Sequence, residues 1–348
     1  MVPKNMMSLD HLLEKNVLPD PVIRAGIRRM LAGKIREETR PSAEEQKAAL
    51  LAHIEELKQS PIAVETRAAN DQHYEVPTRF FQLVLGPRLK YSSGLWPTGV
   101  DMLGAAEERM LALTCERAGL ADGQRILELG CGWGSLSLWM AEKYPAARIT
   151  GVSNSATQKQ YIDAEAARRG FTNLTIRTCD MNVFDAGETF DRVVSVEMFE
   201  HIANWRPLLQ RLRDCLEPDG RMFMHVFANR HASYRFAADD KEDWIAQHYF
   251  TGGIMPSRNL IRQFPDCFAV DAEWWWNGRH YQRTAQHWLE NFDRNADAVF
   301  AVLKGVYGRD AKLWQRRWRL FFLATMGLFG HAAGEEWGVS HYRLTPVR

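Results

Sequence analysis

The sequence predicts an α/β protein in which helices cover a parallel β-sheet. Between residues 105 and 230, segments with the apolar spacing of helices alternate with short apolar runs that are typical of strands. The first of these runs, 124–129, ends in a glycine-rich turn, and a helical segment over 135–144 follows at once. Such a strand, turn and helix form the first unit of a nucleotide-binding sheet, so a ligand is expected at this turn.

The turn reads Gly130-Cys-Gly-Trp-Gly134, and Glu128 precedes it inside the strand. Glycines allow a tight backbone turn and the close approach of a ligand, and the following helix offers free N–H groups at its start. Glu128 stands where a dinucleotide-binding fold would normally have an apolar residue. Glu128, Gly130 and Gly132 are therefore candidate ligand-binding residues, with an ordinary turn that binds nothing as the alternative.

The remaining elements are predicted in the order of the chain. Residues 1 to about 70 have helical spacing, with Pro21 and Ser42 at positions that favour helix starts. A short helix is expected between Pro77 and Gly86. The alternating region is then predicted to contain helices over 105–119, 135–144, 156–169 and 206–216 and strands over 124–129, 147–152, 173–178, 190–196 and 220–227.

The last third of the sequence departs from this regularity. Residues 231–282 are rich in aromatic residues and glycine with little periodicity, which predicts an inserted lid over the substrate. Helices are expected again over 285–307 and 312–330, before a final strand over 338–344. We therefore predict a helical N-terminal extension and cofactor-covering segment over 1–100, a core over 101–230, and the lid, helices and final strands over 231–348.

Composition limits the classes of function. The 348 residues are 46% hydrophobic and 25% charged, with a net charge of +1, which is typical of a soluble protein without a general attraction to nucleic acid or anionic lipid. No apolar run approaches the length of a membrane span, and the N-terminus lacks the pattern of a secretory signal. The five cysteines are scattered without metal-ligand spacing, so we expect reduced thiols, a cytoplasmic location and no metal site.

Several further motifs carry a resemblance to a known family. Residues 74–86 read Tyr-Glu-Val-Pro-Thr-Arg-Phe-Phe-Gln-Leu-Val-Leu-Gly, and the segments 90–93, 153–158 and 197–201 read Lys-Tyr-Ser-Ser, Ser-Asn-Ser-Ala-Thr-Gln and Glu-Met-Phe-Glu-His. With the glycine turn, these motifs resemble the cyclopropane-fatty-acid-synthase superfamily of S-adenosylmethionine (SAM) methyltransferases, and within it the plant coclaurine and pavine N-methyltransferases. The resemblance covers nearly the whole chain. It implies the class I SAM-methyltransferase fold, a Rossmann-like sheet with a helical N-terminal extension and an inserted helical and aromatic lid.

The resemblance also implies a set of cofactor contacts. Tyr91 and Ser92 would reach the methionine end of SAM, whereas Asp180 would accept from the adenine amine and Met181 would cover its ring. The implied contacts outside the strand are, in chain order, Tyr91, Ser92, Gly130, Gly132, Asn154, Gln158, Asp180 and Met181. The alternative for the last four is that they are loop caps and turn residues.

Three residues after the fourth predicted strand are the candidates for catalysis. An amine must present an unprotonated nitrogen to the methyl group, so the site has to accept or hold a proton. A helical turn would bring Glu197, Glu200 and His201 to one face. We expect Glu200 and His201 to handle the proton and orient the amine, with Glu197 assisting in substrate binding. A structural hydrogen-bond pair between Glu200 and His201 is the alternative.

The main competing function is lipid cyclopropanation, which the superfamily also performs. There the resemblance implies a bound bicarbonate held by a cysteine, a glutamate, a histidine and a tyrosine. Glu200, His225 and Tyr281 match that set, but Ser93 stands at the cysteine position and Phe227 adds an aromatic wall near His225. These departures favour an amine.

Aromatic rings attract an ammonium group, so they are candidates for the substrate pocket. The predicted substrate-binding residues are Tyr74, His225, Phe227, Trp276, Tyr281 and Trp337, although about half of the aromatic residues in this region are expected to be core.

The sequence thus predicts a SAM-dependent N-methyltransferase for a small aromatic or cyclic amine. Its expected partner is the small-molecule amine, with no nucleic acid and no stable membrane insertion, and a homodimer is left open. A cyclopropane-fatty-acyl-phospholipid synthase-like enzyme is the first alternative. A non-catalytic SAM-binding protein is the second, and it would require damaged motifs that the sequence does not have.

Overall fold

The computed structural model describes residues 17–64, 76–236 and 252–348, and a seven-stranded sheet forms their centre. Its strands are β1 (Arg125–Leu129), β2 (Arg148–Ser153), β3 (Leu174–Thr178), β4 (Phe190–Val196), β5 (Leu216–Asn229), β8 (Phe268–Asn277) and β9 (Trp337–Pro346). They lie in the order β3-β2-β1-β4-β5-β9-β8. Strands β1 to β5 run parallel, whereas β9 is antiparallel to both of its neighbours. A separate pair is formed by β6 (Tyr234–Arg235) and β7 (Ile254–Met255).

Ten α-helices occur among the described residues. They are α1 (Asp20–Glu38), α2 (Ala43–Leu57), α3 (Thr78–Val84), α4 (Leu103–Ala118), α5 (Ser135–Lys143), α6 (Ala156–Arg169), α7 (Trp205–Asp214), α8 (Arg279–Arg294), α9 (Ala296–Tyr307) and α10 (Ala311–Gly330). Local capping explains why several match the sequence prediction closely. The side chain of Ser155 caps α6 by accepting from the Gln158 amide, and Gly170 ends this helix in a left-handed conformation.

Helices α3, α8, α9 and α10 pack together around a buried aromatic core that includes Phe80, Trp288, Trp318 and Phe322. Helix α1 packs on α10, where Asp20 and Arg319 form a bidentate pair at 2.7 and 2.9 Å. Much of the aromatic content of the second half therefore builds this helical layer, as aromatic residues contribute large areas to a core. No helix in the described part of the chain is long and apolar enough to cross a membrane.

The parallel sheet predicted from residues 105–230 is confirmed by β1 to β5, and β9 and β8 extend it in antiparallel pairing. One prediction from the sequence needs correction. Trp274, Trp275 and Trp276 belong to the edge strand β8 and not to an irregular lid, with Trp274 paired to His341. Within the predicted lid, residues 237–251 lie outside the described residues, as does the substrate candidate Tyr74.

The carboxyl ends of β1, β2 and β4 meet at one edge of the sheet, where ligands bind in such folds. Gly130 leaves β1 with a φ of 73°, and the amides of Gly130 and Cys131 both donate to the Val152 carbonyl of β2. A Cβ at Gly130 would lie 2.6 Å from the side chain of Met198. Glycine is therefore required here by the backbone conformation and by the close approach of the segment after β4.

Candidate active site

Two adjoining cavities of about 760 and 590 Å³, both open to solvent, lie at this edge of the sheet. The larger one extends along the ends of β2 and β3, and the smaller one runs beneath the glycine turn toward α4. Four residues line both cavities: Gly130, Gly132, Gln158 and Glu197. One elongated ligand could therefore occupy both cavities and pass Glu197 where they meet.

All nine predicted cofactor contacts line these cavities. Asn154, Asp180 and Met181 line the larger cavity, Tyr91, Ser92 and Glu128 line the smaller one, and Gly130, Gly132 and Gln158 line both. The cavities thus bring together residues from three βα turns and from the segment before the sheet.

The polar groups of the smaller cavity suit a cofactor that carries charged and hydrogen-bonding groups. Trp133 Nε1, Ser135 Oγ and Gln158 Nε2 are buried there without a partner in the described chain. Buried polar groups are normally satisfied, so these atoms indicate a ligand with complementary groups. Burial raises the pKa of Glu128 to about 8, and the Ser137 hydroxyl donates to its carboxyl group. A ligand ammonium group would favour the charged carboxylate.

Glu197 is the centre of a hydrogen-bond network at the junction of the cavities. Its Oε1 accepts from the Ser93 amide at 3.0 Å and lies 3.1 Å from His225 Nε2, while its Oε2 accepts from the Tyr281 hydroxyl at 2.6 Å. The side chain is 7% exposed, and burial raises its pKa, against the opposing effects of Lys90 and the hydrogen bonds. Two donors and the His225 ring nitrogen, from three distant parts of the chain, therefore converge on one carboxylate.

The helical turn predicted over 197–201 does not form as expected. Glu197 has a φ of 48°, in the left-handed region, and only Phe199–His201 forms a single 3₁₀ turn. A non-glycine residue in this region is uncommon and is found where the surrounding structure imposes it, often at functional sites. The backbone thus turns the Glu197 side chain toward Ser93, His225 and Tyr281 instead of stacking it with Glu200 and His201 on one helical face.

Glu200 and His201 occupy different surroundings. Glu200 is fully buried and outside both cavity linings, and its Oε1 accepts from the Phe227 amide at 2.6 Å whereas its Oε2 has no partner among the described residues. Burial, and then the charge of Glu197, raise its pKa well above the usual range. His201 is half-buried and lines the larger cavity beside Glu197.

Lys90 lies beneath this network, where it is almost fully buried. Its ammonium group donates to the Ser92 hydroxyl and, at 2.9 Å, to the Ser93 carbonyl. Burial lowers its pKa to about 8, although the carboxylates of Glu197 and Glu107 favour its charged form. Lys90 thus holds the turn that contains Ser92 and Ser93 in place. Its ammonium group also interacts electrostatically with Glu197.

His225 extends the network away from the cavities. His225 Nδ1 lies 2.9 Å from His341 Nε2, and His341 Nδ1 lies 2.8 Å from the guanidinium NH1 of Arg117. Burial lowers the pKa of both histidines well below the usual value, so both rings are neutral at pH 7. The contact between His225 and Glu197 is accordingly a hydrogen bond from a neutral imidazole and not an ion pair.

The predicted substrate residues do not all lie together. Tyr281 stacks on Phe329 at 4.1 Å between ring centroids, and Phe227 meets the same Phe329 ring edge-on at 6.1 Å. Trp276 lies on β8 against Arg117, and the buried Trp337 donates from its indole to the Tyr234 hydroxyl. Tyr281 contacts Glu197 through its hydroxyl group, but none of the predicted substrate residues in the described part of the chain lines either cavity; they are His225, Phe227, Trp276, Tyr281 and Trp337.

Several residues in or around the site were not among the sequence candidates. They are Lys90, Arg117, Ser135, Phe329 and His341. Lys90 and Ser135 stand next to predicted residues, so the motifs that contain them could have suggested both. Arg117, Phe329 and His341 belong to ordinary helix and strand patterns, and only the tertiary fold brings them to the site.

Comparisons with known proteins agree with this architecture. Residues 63–331 match the family model for mycolic acid cyclopropane synthetase. The chain is 34% identical to an (S)-coclaurine N-methyltransferase of Thalictrum flavum subsp. glaucum over 98% of its own length and 96% of that protein. A pavine N-methyltransferase from the same plant is 30% identical over 94% of this chain and 93% of that protein.

A solved structure extends the similarity to three dimensions. A crystal structure of coclaurine N-methyltransferase bound to N-methylheliamine and S-adenosylhomocysteine superposes with a TM-score of 0.93 at 34% identity, covering 97% of this chain and 98% of that one. Its bound S-adenosylhomocysteine is the demethylated form of SAM, and the cavities described above have the polar groups to hold such a cofactor. The chain therefore belongs to the mycolic acid cyclopropane synthetase family and is a SAM-dependent methyltransferase.

Proposed function

We propose that this protein transfers a methyl group from SAM to the nitrogen of a small aromatic or cyclic amine, with Glu197 as the group that removes the proton. The observation that supports this proposal is the convergence of the Ser93 amide, His225 and the Tyr281 hydroxyl on the Glu197 carboxylate at the junction of the two cavities. Donors directed at a carboxylate favour its charged form, which is the form that can take a proton and attract a cationic amine.

The proposed reaction has two steps. A protonated amine first gives one N–H proton to the Glu197 carboxylate, which leaves a lone pair on nitrogen. That lone pair then attacks the SAM methyl carbon in line with the carbon–sulfur bond, which breaks and returns its electron pair to sulfur. The products are the methylated ammonium ion and S-adenosylhomocysteine. Positioned proton transfer of this kind contributes about 10²- to 10⁴-fold to a rate.

Other residues at the junction support the same reaction. His201 lines the larger cavity next to Glu197, so we propose that it orients the amine or passes its proton onward. The stacked rings of Tyr281 and Phe329, with Phe227 at their edge, line neither cavity, so we propose that this cluster supports Glu197 through the Tyr281 hydroxyl. The SAM contacts proposed are the nine predicted residues that line the cavities, with Ser135 as an additional donor.

The competing lipid reaction is disfavoured by the same network. The resemblance implies that a synthase uses its histidine and tyrosine to hold bicarbonate, whereas His225 and Tyr281 here contact the Glu197 carboxylate. Ser93, at the cysteine position of the synthases, turns its hydroxyl to the Gly94 carbonyl at 3.1 Å. An internal carboxylate thus occupies the donors that a separate bicarbonate would need.

We also propose that the protein acts in the cytoplasm, since all five cysteines are free thiols and four of them are buried. A homodimer remains a prediction that light scattering would test.

The test is a turnover screen that detects S-adenosylhomocysteine with two substrate panels. One panel contains tetrahydroisoquinolines and simple aryl-alkyl amines, and the other contains unsaturated phospholipids with and without bicarbonate. We expect turnover on cyclic amines, a large loss in Glu197→Gln and His201→Ala, and no loss in the matched surface control Glu188→Gln. Turnover confined to phospholipids, or dependent on bicarbonate, would overturn the proposal.

A further inference from the structure

A continuous line of hydrogen bonds runs from Glu197 across β5 and β9 to helix α4. It passes from Glu197 on the segment after β4 to His225 on β5, then to His341 on β9, and ends at Arg117 in α4. The donor and acceptor atoms are 3.1, 2.9 and 2.8 Å apart along this line. His225 and His341 are opposite each other in the antiparallel β5–β9 pairing, and both are buried.

Arg117, at the end of this line, determines which atom donates in each of its hydrogen bonds. A guanidinium group can donate hydrogen bonds but cannot accept them, so His341 Nδ1 must be the acceptor from Arg117. The proton of neutral His341 is then on Nε2 and is donated to His225 Nδ1. His225 must in turn carry its own proton on Nε2 and donate it to Glu197. One cation therefore determines the tautomers of two buried histidines.

We propose that Arg117 and His341 are positioning residues that lock His225 in its Nε2–H tautomer and thereby keep Glu197 as a proton acceptor. The inference rests on the proposed role of Glu197 in amine methylation. Neither residue touches a cavity, so both act only through His225. Without this lock, the His225 ring could carry its proton on Nδ1 and present a lone pair to Glu197, which would favour the protonated carboxyl group and oppose its action as a base.

The same polarity excludes an outward proton path along this line. A proton that left Glu197 through the two histidines would have to be accepted by Arg117, and a guanidinium group has no free lone pair for it. The hydrogen bonds from Arg117 to Glu197 therefore fix which ring nitrogens carry protons and do not carry a proton outward. The proton taken from the amine must leave through the cavity, where His201 lies.

The environment of Arg117 holds it in place. Its guanidinium group lies 4.3 Å from the ring centroid of Trp274 and 4.8 Å from that of Trp276, both on the edge strand β8. Cation–π contacts of this type stabilise a partly desolvated arginine and restrict its orientation. This arrangement gives the two tryptophans a function in the edge strand, outside both cavity linings.

Several other polar or charged groups also influence the pKa of Glu197, so the test must distinguish their effects from that of the His225 tautomer. Lys90 lies beneath it, Tyr281 donates to it from α8, and Glu200 and His201 follow it in the 3₁₀ turn. None of these groups is altered by a change at Arg117. A change in the acid limb of the pH profile on replacing Arg117 would therefore report the His225 tautomer.

The first experiment measures the tautomers directly. Nitrogen-15 NMR of the full-length protein, labelled at histidine, distinguishes protonated from unprotonated ring nitrogens, and single substitutions assign the signals among the 11 histidines. We expect His225 and His341 to be neutral with the proton on Nε2 at pH 7. We expect Arg117→Met to add an Nδ1–H form of His225, while Arg117→Lys, which still only donates, preserves the Nε2–H form. An unchanged His225 spectrum in Arg117→Met would overturn the inference.

The second experiment measures the pH dependence of kcat/KM for a cyclic amine. We expect the acid limb to move to higher pH by about one unit in Arg117→Met, because the hydrogen bond that favours the charged carboxylate is lost. Arg117→Lys should restore the original limb. Arg192→Met is the matched control, since the Arg192 guanidinium donates to the Gly119 carbonyl and contacts neither histidine. His341→Phe provides a second route to the same shift if Arg117→Met does not fold.

The two experiments separate this inference from the proposed function. Nε2–H tautomers in a protein that methylates no amine would refute the proposed function but leave the tautomer assignment correct. Amine turnover with unshifted acid limbs in both Arg117→Met and His341→Phe would refute the positioning role and leave the methyltransferase function intact.

Discussion

Replacing Glu197 with glutamine tests whether this carboxylate takes the proton from the amine. The amide retains the shape of the side chain, and its oxygen can still accept from the Ser93 amide and His225. Its NH2 group would then face the Tyr281 hydroxyl, which can rotate to become an acceptor. The substitution therefore removes the base while it preserves the network, and cofactor affinity should stay close to that of the unmodified protein.

The size of the effect follows from the protonation of the substrate. An alkylamine with a pKa of about 10 is unprotonated in about one molecule per thousand at pH 7. Without a base, the enzyme has to capture this minor form from solution. We therefore expect kcat/KM of Glu197→Gln to fall by about 10³-fold at pH 7 for a strongly basic amine, within the range that general base catalysis contributes.

The assay compares two amines of similar shape and different basicity. For an aryl amine with a pKa of about 5, nearly every molecule is unprotonated at pH 7, so the defect of Glu197→Gln should almost disappear. The defect on the basic amine should also shrink as the pH rises toward 10. An equal loss of activity on both amines, with cofactor binding intact, would refute the assignment of Glu197 as the base.

Three further outcomes are expected. Glu200→Gln should keep activity within about tenfold of the unmodified protein, because the amide imitates the protonated carboxyl group that burial favours; a loss as large as that of Glu197→Gln, measured with the same amine, would contradict this. Tyr281→Phe removes the 2.6 Å bond that stabilises the charged Glu197, so the acid limb of its kcat/KM profile should move to higher pH, and an unmoved limb would show that this bond has no influence. Glu128 has a raised pKa of about 8, so a cofactor ammonium that holds it as a carboxylate should release a proton on binding at pH 7 and bind more tightly as the pH rises to about 8. Calorimetry in two buffers of different ionisation enthalpy should detect this proton, and Glu128→Gln should abolish it.

Local sequence signals predict much of the fold and most of the cofactor cavity. The strand, glycine turn and helix around Gly130 were recognisable because the backbone conformation requires glycine at a fixed spacing. The bounds of α6 were predicted correctly because Ser155 and Gly170 cap it at both ends. Each of these features depends on residues that are neighbours in the chain.

Features that depend on distant contacts were missed or misread. Strand β8 lacks the alternation of polar and apolar residues that marks a strand, since Trp274, Trp275 and Trp276 are consecutive. The structure accounts for this, because Arg117 lies over Trp274 and Trp276 and Arg258 lies over Trp275, so aromatic rings on both faces of the strand have cationic partners. No pattern within the strand reports those partners, and the same is true of the contact between His225 and His341.

The division of roles between Glu197 and Glu200 follows from their surroundings. Two neighbouring carboxyl groups in a dry site do not both ionise readily, because burial and mutual repulsion disfavour the second charge. Glu197 receives three hydrogen bonds and faces the ammonium group of Lys90, whereas Glu200 receives the Phe227 amide and has a second oxygen without a partner in the described chain. These surroundings favour a charge on Glu197 over a charge on Glu200, which is the arrangement that the proposed role of Glu197 requires. The sequence predicted proton handling by Glu200 and His201 and an assisting role for Glu197, whereas the left-handed backbone at Glu197 places that residue, and not Glu200, in the cavity lining.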